Sequence, residues 1–510
     1  MSRTCSSHLT HSHRLQRRFA EHALSRTSGA PLCDHNRVRI LQDADENHTA
    51  WLRAIAGAER FVHLENYIIQ EDATGRLFAD ALIARARAGV TVRVVHDWLG
   101  SWRCTSRRFW QRLTAAGVRV RCFNPPRLDS PLGWLARDHR KTVAIDGRIA
   151  FAAGVCISSR WRGNPARSLP PWRDTGVQIE GPAVAEIHSA FAQIWRASGG
   201  SLPRHELPRP ESVAPAGDIS LRVIAGTPLT AGLLRTDQLI AVLARRSLWL
   251  TDAYFIGPTP YVQALLAAAR DGVDVRILIP HASDLPLVGA LSRSGLRPLL
   301  EGGIRIFAWN GSMLHAKTAV VDGRWSRIGS SNLNLASLLG NYELDIAIDH
   351  PGVAQEMERM YLRDLDNATE IVLSHHGLRP STHCARSRRD RHHPLASSGS
   401  AAAVGAIRAA NAVGAAMSNR RVLGPAESGL LVSAGLLLLA IAPVAITWPK
   451  MVALPVAALA GYLGLALLWR ARKLRHRIRL PMPSRPRPAV APAAARSVAQ
   501  EPERHPGSSE

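Results

Sequence analysis

The sequence predicts an α/β fold built twice over, followed by a transmembrane helical hairpin, and three observations carry that reading. A helix-and-strand pattern recurs within residues 37 to 350, the motif H-x-K-x4-D occurs once in each copy, and a long apolar run lies near the C-terminus. A chain of 510 residues suits two or three folded units rather than one small core.

The repeat is readable residue by residue. "ALIARARAGVTVRVV" (81–95) matches "ALLAAARDGVDVRIL" (264–278) in register, each a helix closed by glycine and followed by a buried strand. The strand-like runs "FVHLENYII" and "SLWLTDAYFI" stand before them. "AAGVRVRCF" (115–123) and "EGGIRIFAW" (301–309) follow, again helix end, glycine, strand. Strands alternating with helices imply a βαβ sandwich with mostly buried sheets, made twice. The boundaries expected are a first half over 37–200 and a second over 201–373. Residues 1–36 are a basic tail without an apolar core run, so they do not form a secretory signal and are expected to be loosely ordered.

From Gly429 to Trp469 the chain is almost wholly apolar, interrupted at Pro449-Lys450. Each side is about 20 residues, enough to cross a bilayer core, so residues 425–470 are expected to hold two transmembrane helices. Arg420 and Arg421 precede the hairpin, and Arg470, Arg472, Lys473, Arg475, Arg477 and Arg479 follow it. That bias puts both flanks, and the duplicated domain before them, on the cytoplasmic side of the membrane. Residues 374–424 read as a basic and Ala-rich linker, and 471–510 as a basic, then Pro- and Ala-rich disordered tail. The linker histidines, His375, His376, His383, His392 and His393, have no carboxylate or thiol pairing apart from one Cys384 and read as solvated rather than metal-binding.

Against 40 Asp and Glu stand 64 Lys and Arg, a net +24 that favours an anionic partner, nucleic acid or phospholipid. Only four of those cations are lysine, and two of the four, Lys141 and Lys317, lie in the repeated motif. A compact ammonium with rotatable donors is therefore needed there, where a planar guanidinium would not fit. The six cysteines show no paired spacing and imply no disulfide framework.

The motif is His139, Lys141, Asp146 in the first half and His315, Lys317, Asp322 in the second, the histidines 176 residues apart. His and Lys two apart on a strand share a face. If the halves pack about a pseudo-twofold axis, two imidazoles and two ammoniums meet in one pocket. Two lysines beside the imidazoles would repel a divalent cation but suit a phosphate, so no metal and no cofactor is expected. Ser330 and Asn332, in the small-residue run after the second motif, add donors for phosphate oxygens. Between two imidazoles, one can attack phosphorus while the other protonates the leaving alcohol.

The paired H-x-K-x4-D motifs, with "WRDTGVQIEGPAV" and "GSSNLNLASLLGNYELDIAI", resemble the phospholipase D superfamily, and within it the bacterial cardiolipin synthases. The resemblance covers roughly residues 37 to 350. It implies a duplicated phospholipase D-like sandwich, a phosphohistidine intermediate and no metal requirement. It implies His139 as nucleophile, His315 as general acid and base, Lys141 and Lys317 on the phosphate, and Glu343 and Asp174 orienting His139 and His315. Asp146 and Asp322 belong to the motif set but are expected to act as structural supports. The implied partners are anionic phospholipids, phosphatidylglycerol and cardiolipin, and the bilayer itself, with no nucleic acid. The alternative is a phospholipase D-type hydrolase, less so a nuclease. One departure stands out: where the second half has Asn332, the first has Cys156, a weaker donor.

Overall fold

The computed structural model describes residues 20–126 and 135–380, apart from 165, 167, 375 and 376, together with scattered positions between 439 and 468. Helix α1 spans 20–28. The first half then runs β1 (Cys33–Gln42), α2 (Asp43–Ala56), β2 (Phe61–Asn66), α3 (Ala73–Arg87), β3 (Thr91–Asp97), α4 (Arg107–Ala115), β4 (Arg119–Phe123), β5 (Lys141–Ile145), β6 (Ile149–Ala153), α5 (Ser159–Arg162), β7 (Thr175–Glu180) and α6 (Ala183–Ala197). The second runs β8 (Ile219–Gly226), α7 (Gly232–Leu243), β9 (Ser247–Thr251), α8 (Thr259–Arg270), β10 (Asp274–Pro280), α9 (Pro286–Ser294), α10 (Arg297–Glu301) and β11 (Arg305–Trp309). It continues through β12 (Thr318–Val321), β13 (Trp325–Gly329), β14 (Glu343–Asp349), α11 (Pro351–Asp366), β15 (Ala368–Ser374) and β16 (Gly377–Pro380).

The glycines of the repeat explain why helix gives way to strand so abruptly. Gly89 and Gly272 both sit at φ +87°, a left-handed conformation that glycine alone adopts without strain. The next amide then reaches back to close the last turn, Val90 to the Arg85 carbonyl at 3.1 Å and Val273 to the Ala268 carbonyl at 3.0 Å. The chain leaves each helix in a fixed direction and enters β3 or β10. Those strands run parallel to their neighbours because α3, α4, α8 and α10 carry the chain back each time.

The expected two sandwiches share one sheet. β1 pairs antiparallel with β8, joining the halves into a sixteen-stranded sheet. From that seam outward the order is β7-β6-β5-β2-β3-β4 on one side and β14-β13-β12-β9-β10-β11 on the other, with β15 and β16 beyond. The order is the same in both directions, as a pseudo-twofold axis requires. Each half has helices on both faces. Trp51, Phe78 and Leu82 of α2 and α3 pack on Val62, Val94 and Val143 in one core, and Ile240 and Leu265 of α7 and α8 pack on Leu250, Ile277 and Ala319 in another. The opposite face is covered by Ile187 of α6 and Met357 and Met360 of α11, in a core that both halves share. Strands clad on both faces need continuous apolar runs, which is why β5, β12 and β13 are buried throughout.

One expectation needs revising at the edges, and another lies outside what the structure describes. The basic N-terminal tail is not wholly loose: α1 buries Leu24, and Glu21 pairs with the nearly inaccessible Arg222. β1 likewise begins at Cys33, inside the stretch expected to be tail. The transmembrane hairpin of residues 425–470 lies outside the described residues except for isolated helical positions such as Leu439 and Tyr462. Among the described residues no helix is long and apolar enough to cross a membrane.

Candidate active site

His139 and His315 both lie in extended segments just before a strand, β5 and β12, and each is held by the opposite half. The His139 amide donates to the Tyr342 carbonyl at 2.9 Å and the His315 amide to the Arg173 carbonyl at 2.7 Å. The segments feeding β14 and β7 therefore run alongside the two histidine segments. Arg140, fully buried, fastens this crossing by donating to the carbonyls of Glu343, Ala190 and Gly226.

The crossing decides which acid meets which base. His139 Nδ1 lies 3.0 Å from the Glu343 carboxylate, and His315 Nδ1 lies 2.8 Å from Asp174 Oδ2. Each carboxylate is itself fixed. Ser330 Oγ donates to Glu343 at 2.6 Å, with Ser337 and Asn341 also donating to it. Trp161 Nε1 donates to Asp174 at 2.9 Å and the Thr175 amide at 2.8 Å. Gly154 has no room for a side chain, since a Cβ there would lie 2.1 Å from Asp174 Oδ1.

These contacts set protonation. Burial raises the Asp174 carboxyl, but His315, their hydrogen bond and Lys317 outweigh it and hold it at about 2. Glu343 is likewise held below the usual range, burial opposing and His139 and Lys141 prevailing. Burial pushes His139 down to about 4, against Glu343 and with Lys141 adding to the fall. Burial and Lys317 push His315 down to about 3, against Asp174. At neutral pH both carboxylates are charged and both imidazoles neutral. The only consistent tautomer then puts Nδ1–H on the carboxylate and leaves Nε2 with a free lone pair. Lys317, 2.9 Å from His315 Nδ1, gives its proton to the His315 carbonyl instead, and Lys141 does the same with the His139 carbonyl.

Both histidines and Asn332 line one cavity of about 930 Å³. Cys156 lines it as well, in the place of the missing second asparagine, its thiol raised by burial and therefore uncharged at neutral pH. Among the described residues no cluster of three His, Cys, Asp or Glu is placed to hold a metal ion.

Of the predicted site residues, Ser330 changes role and the two motif acids lie away from the cavity. Asp146 accepts the amides of Glu59, Arg60 and Phe61 at 2.7–2.9 Å, fixing the start of β2. Asp322 does the same for Arg245, Arg246 and Ser247 at 2.7–2.9 Å before β9. Neither lines the cavity, and each supports a turn through these amides. Ser330 was expected on the phosphate, but its hydroxyl is committed to Glu343. Sequence reasoning missed Ser337, Asn341 and Trp161, which reach the carboxylates only through the tertiary fold. It also missed Tyr67 and Tyr254, whose rings flank His139 at 4.8 Å and His315 at 6.0 Å. Their signal was present, since a tyrosine stands third from the end of the strand-like run in both copies of the repeat.

A family described as "Cardiolipin synthase, PLD-like domain" matches residues 51–195 and 239–365. A cardiolipin synthase of Alkalihalophilus pseudofirmus is 31% identical over 359 residues, 69% of this chain and 71% of that one. One from Geobacillus sp. is 33% identical over 350 residues, 68% of this chain and 69% of that one. Cardiolipin synthase A of Pseudomonas putida is 31% identical, covering 69% and 72%. Among solved structures, phosphatidylserine synthase of Haemophilus influenzae superposes with a TM-score of 0.55 at 16% identity, over 69% of this chain and 91% of that one, a likeness of fold.

Proposed function

From the premise that this chain belongs to the phospholipase D-like cardiolipin synthase family, we propose that its cavity joins two phosphatidyl alcohols into cardiolipin through a phosphatidyl–histidine intermediate. The observation that carries this is the crossed pair of imidazoles, His139 on Glu343 and His315 on Asp174, facing one cavity.

In the first step His139 Nε2 attacks the phosphorus of phosphatidylglycerol. The P–O bond to the headgroup glycerol breaks, and His315 gives that oxygen a proton. His315 is neutral in the empty site, but the phosphodiester carries a negative charge into the pocket and raises the affinity of a neighbouring imidazole for a proton. In the second step His315, now neutral, takes the proton of an acceptor phosphatidylglycerol hydroxyl, whose oxygen displaces His139. Cardiolipin leaves, His315 returns to solvent the proton it took up when the donor bound, and the site is as it began. Lys141, Lys317 and Asn332 hold the phosphoryl oxygens as their charge grows. Cys156 provides only a weak donor on the opposite side. A bilayer location belongs to the same reading: the apolar run 429–469 and its basic flanks support a hairpin with both ends, and the catalytic half-domains, in the cytoplasm.

Labelled phosphatidylglycerol in mixed micelles tests the assignment by separation of products. Cardiolipin and free glycerol in equal amounts, unaffected by EDTA, are expected. Phosphatidic acid alone would make the protein a hydrolase.

The pH dependence has a basic limb with an identifiable source. Burial lowers the Lys317 ammonium to about 8, Asp174 resisting and Lys141 assisting. A lowered lysine is charged below that value and neutral above it, so phosphate binding weakens as pH rises through 8. We expect kcat/KM to fall above about pH 8, whereas kcat, measured with the anionic lipid bound, should hold to higher pH because the phosphate raises the lysine again. Profiles that fall together would remove Lys317 as the source.

A further inference from the structure

Three large apolar side chains stand where water surrounds them, at the mouth of the catalytic cavity. Leu229 is 86% exposed, Trp102 44% and Leu135 39%, and all three border the opening. They come from separate segments, the loop after β8, the loop after β3 and the approach to His139, so both halves contribute.

The backbone does not leave Leu229 there by slack. Its φ is +69°, a left-handed conformation that L-residues other than glycine rarely adopt. Its amide is bonded to the Leu339 carbonyl at 2.9 Å. A restrained, unfavourable turn that ends in a solvated leucine gains nothing in water. Trp102 is equally arranged, its ring stacked on Trp98 at 5.7 Å with the Arg103 guanidinium 4.7 Å above it. An indole carrying a guanidinium suits the headgroup level of a bilayer, where one side is apolar and the other wet and anionic.

The charges inside the opening agree. Arg137 and Arg160 line the cavity, and the carboxylate beside them, Asp284, accepts a hydrogen bond from Tyr254 at 2.7 Å. Size points the same way. A space of about 930 Å³ is that of a site for a drug-sized ligand and holds two lipid headgroups, not four acyl chains.

We propose that Trp102, Leu135 and Leu229 form a docking rim that seats the cavity mouth in the surface of a bilayer rich in anionic phospholipid. Headgroups then enter the cavity while their acyl chains remain in the membrane. The inference rests on the phosphatidyl-transfer reading and adds the route by which that substrate arrives.

The test uses the full chain in phosphatidylcholine proteoliposomes, wild type against the double variant Trp102→Ser/Leu229→Ser. Two substrates are compared: long-chain phosphatidylglycerol within the bilayer, and dihexanoyl phosphatidylglycerol dissolved as monomers. The variant is expected to lose about tenfold or more on the bilayer substrate, while turning over the dissolved one at the wild-type rate. That retained rate also shows the variant to be folded. Equal loss on both substrates, or loss on neither, would overturn the rim. So would a wild-type dimer that the variant dissolves, by sedimentation in detergent, with bilayer turnover intact, because the rim would then seat a second copy. Wild type converting neither substrate would instead strike the phosphatidyl-transfer reading, and the rim with it.

Discussion

Replacing His139 by alanine is expected to lower cardiolipin formation by roughly four orders of magnitude, the scale seen when a covalent nucleophile is removed. The fold should survive, because the imidazole lines a cavity and the crossing beneath it is held by main-chain bonds and Arg140. His315→Ala should be as damaging with phosphatidylglycerol, so the rate alone does not tell the two histidines apart. The leaving group does. A donor carrying p-nitrophenol needs no proton on departure, so His315→Ala should regain the first step with it and accumulate a phosphatidylated protein. His139→Ala should not. Trapping by acid quench with phosphorus-labelled donor reads this directly. Label on the His139→Ala protein and none on His315→Ala would exchange their roles.

Glu343→Gln is expected to cost roughly a hundredfold or more in kcat/KM, although the substitution is nearly isosteric. The loss has two sources. A neutral amide no longer fixes the Nδ1–H tautomer of His139, and the free lone pair on Nε2 is then no longer assured. The carboxylate also accepts from Ser330, Ser337 and Asn341, so the amide NH2 of glutamine would meet donors with a donor. The pH profile separates this from simple damage. His139 is neutral above about pH 4 with Glu343 charged beside it, and removing that charge lowers its proton affinity further. The acid limb should therefore move to lower pH while the plateau drops. A lower plateau with an unmoved or raised limb would mean that Glu343 does not act through His139.

Much of this was legible because the chain states it twice. The helix–glycine–strand junctions at Gly89 and Gly272 could be aligned by eye, and the structure gives each the same left-handed turn. The scarcity of lysine made Lys141 and Lys317 conspicuous, and Glu343 and Asp174 lie in hydrogen-bond reach of His139 and His315. What stayed hidden is what depends on contact between halves. Nothing in the pairing rules of a single copy says that β1 and β8 fuse two sheets into one. Ser330 looks like a phosphate ligand from its place in a small-residue run, and only the approach of β14 turns its hydroxyl to Glu343. That Asp146 is a support was expected, but which amides it would hold, those of Glu59, Arg60 and Phe61 before β2, could not be read from the chain.

The crossed pairing also bears on how the protein comes into being. A ribosome releases residue 139 long before residue 343, and domains fold as they emerge. For that interval His139 has no Glu343 to bond to, and Asp174 waits for a His315 that has not been made. On the proposed mechanism a chain that stalls or is truncated between β7 and β14 lacks Glu343 and should form no cardiolipin, so that activity would begin only when the fold is complete.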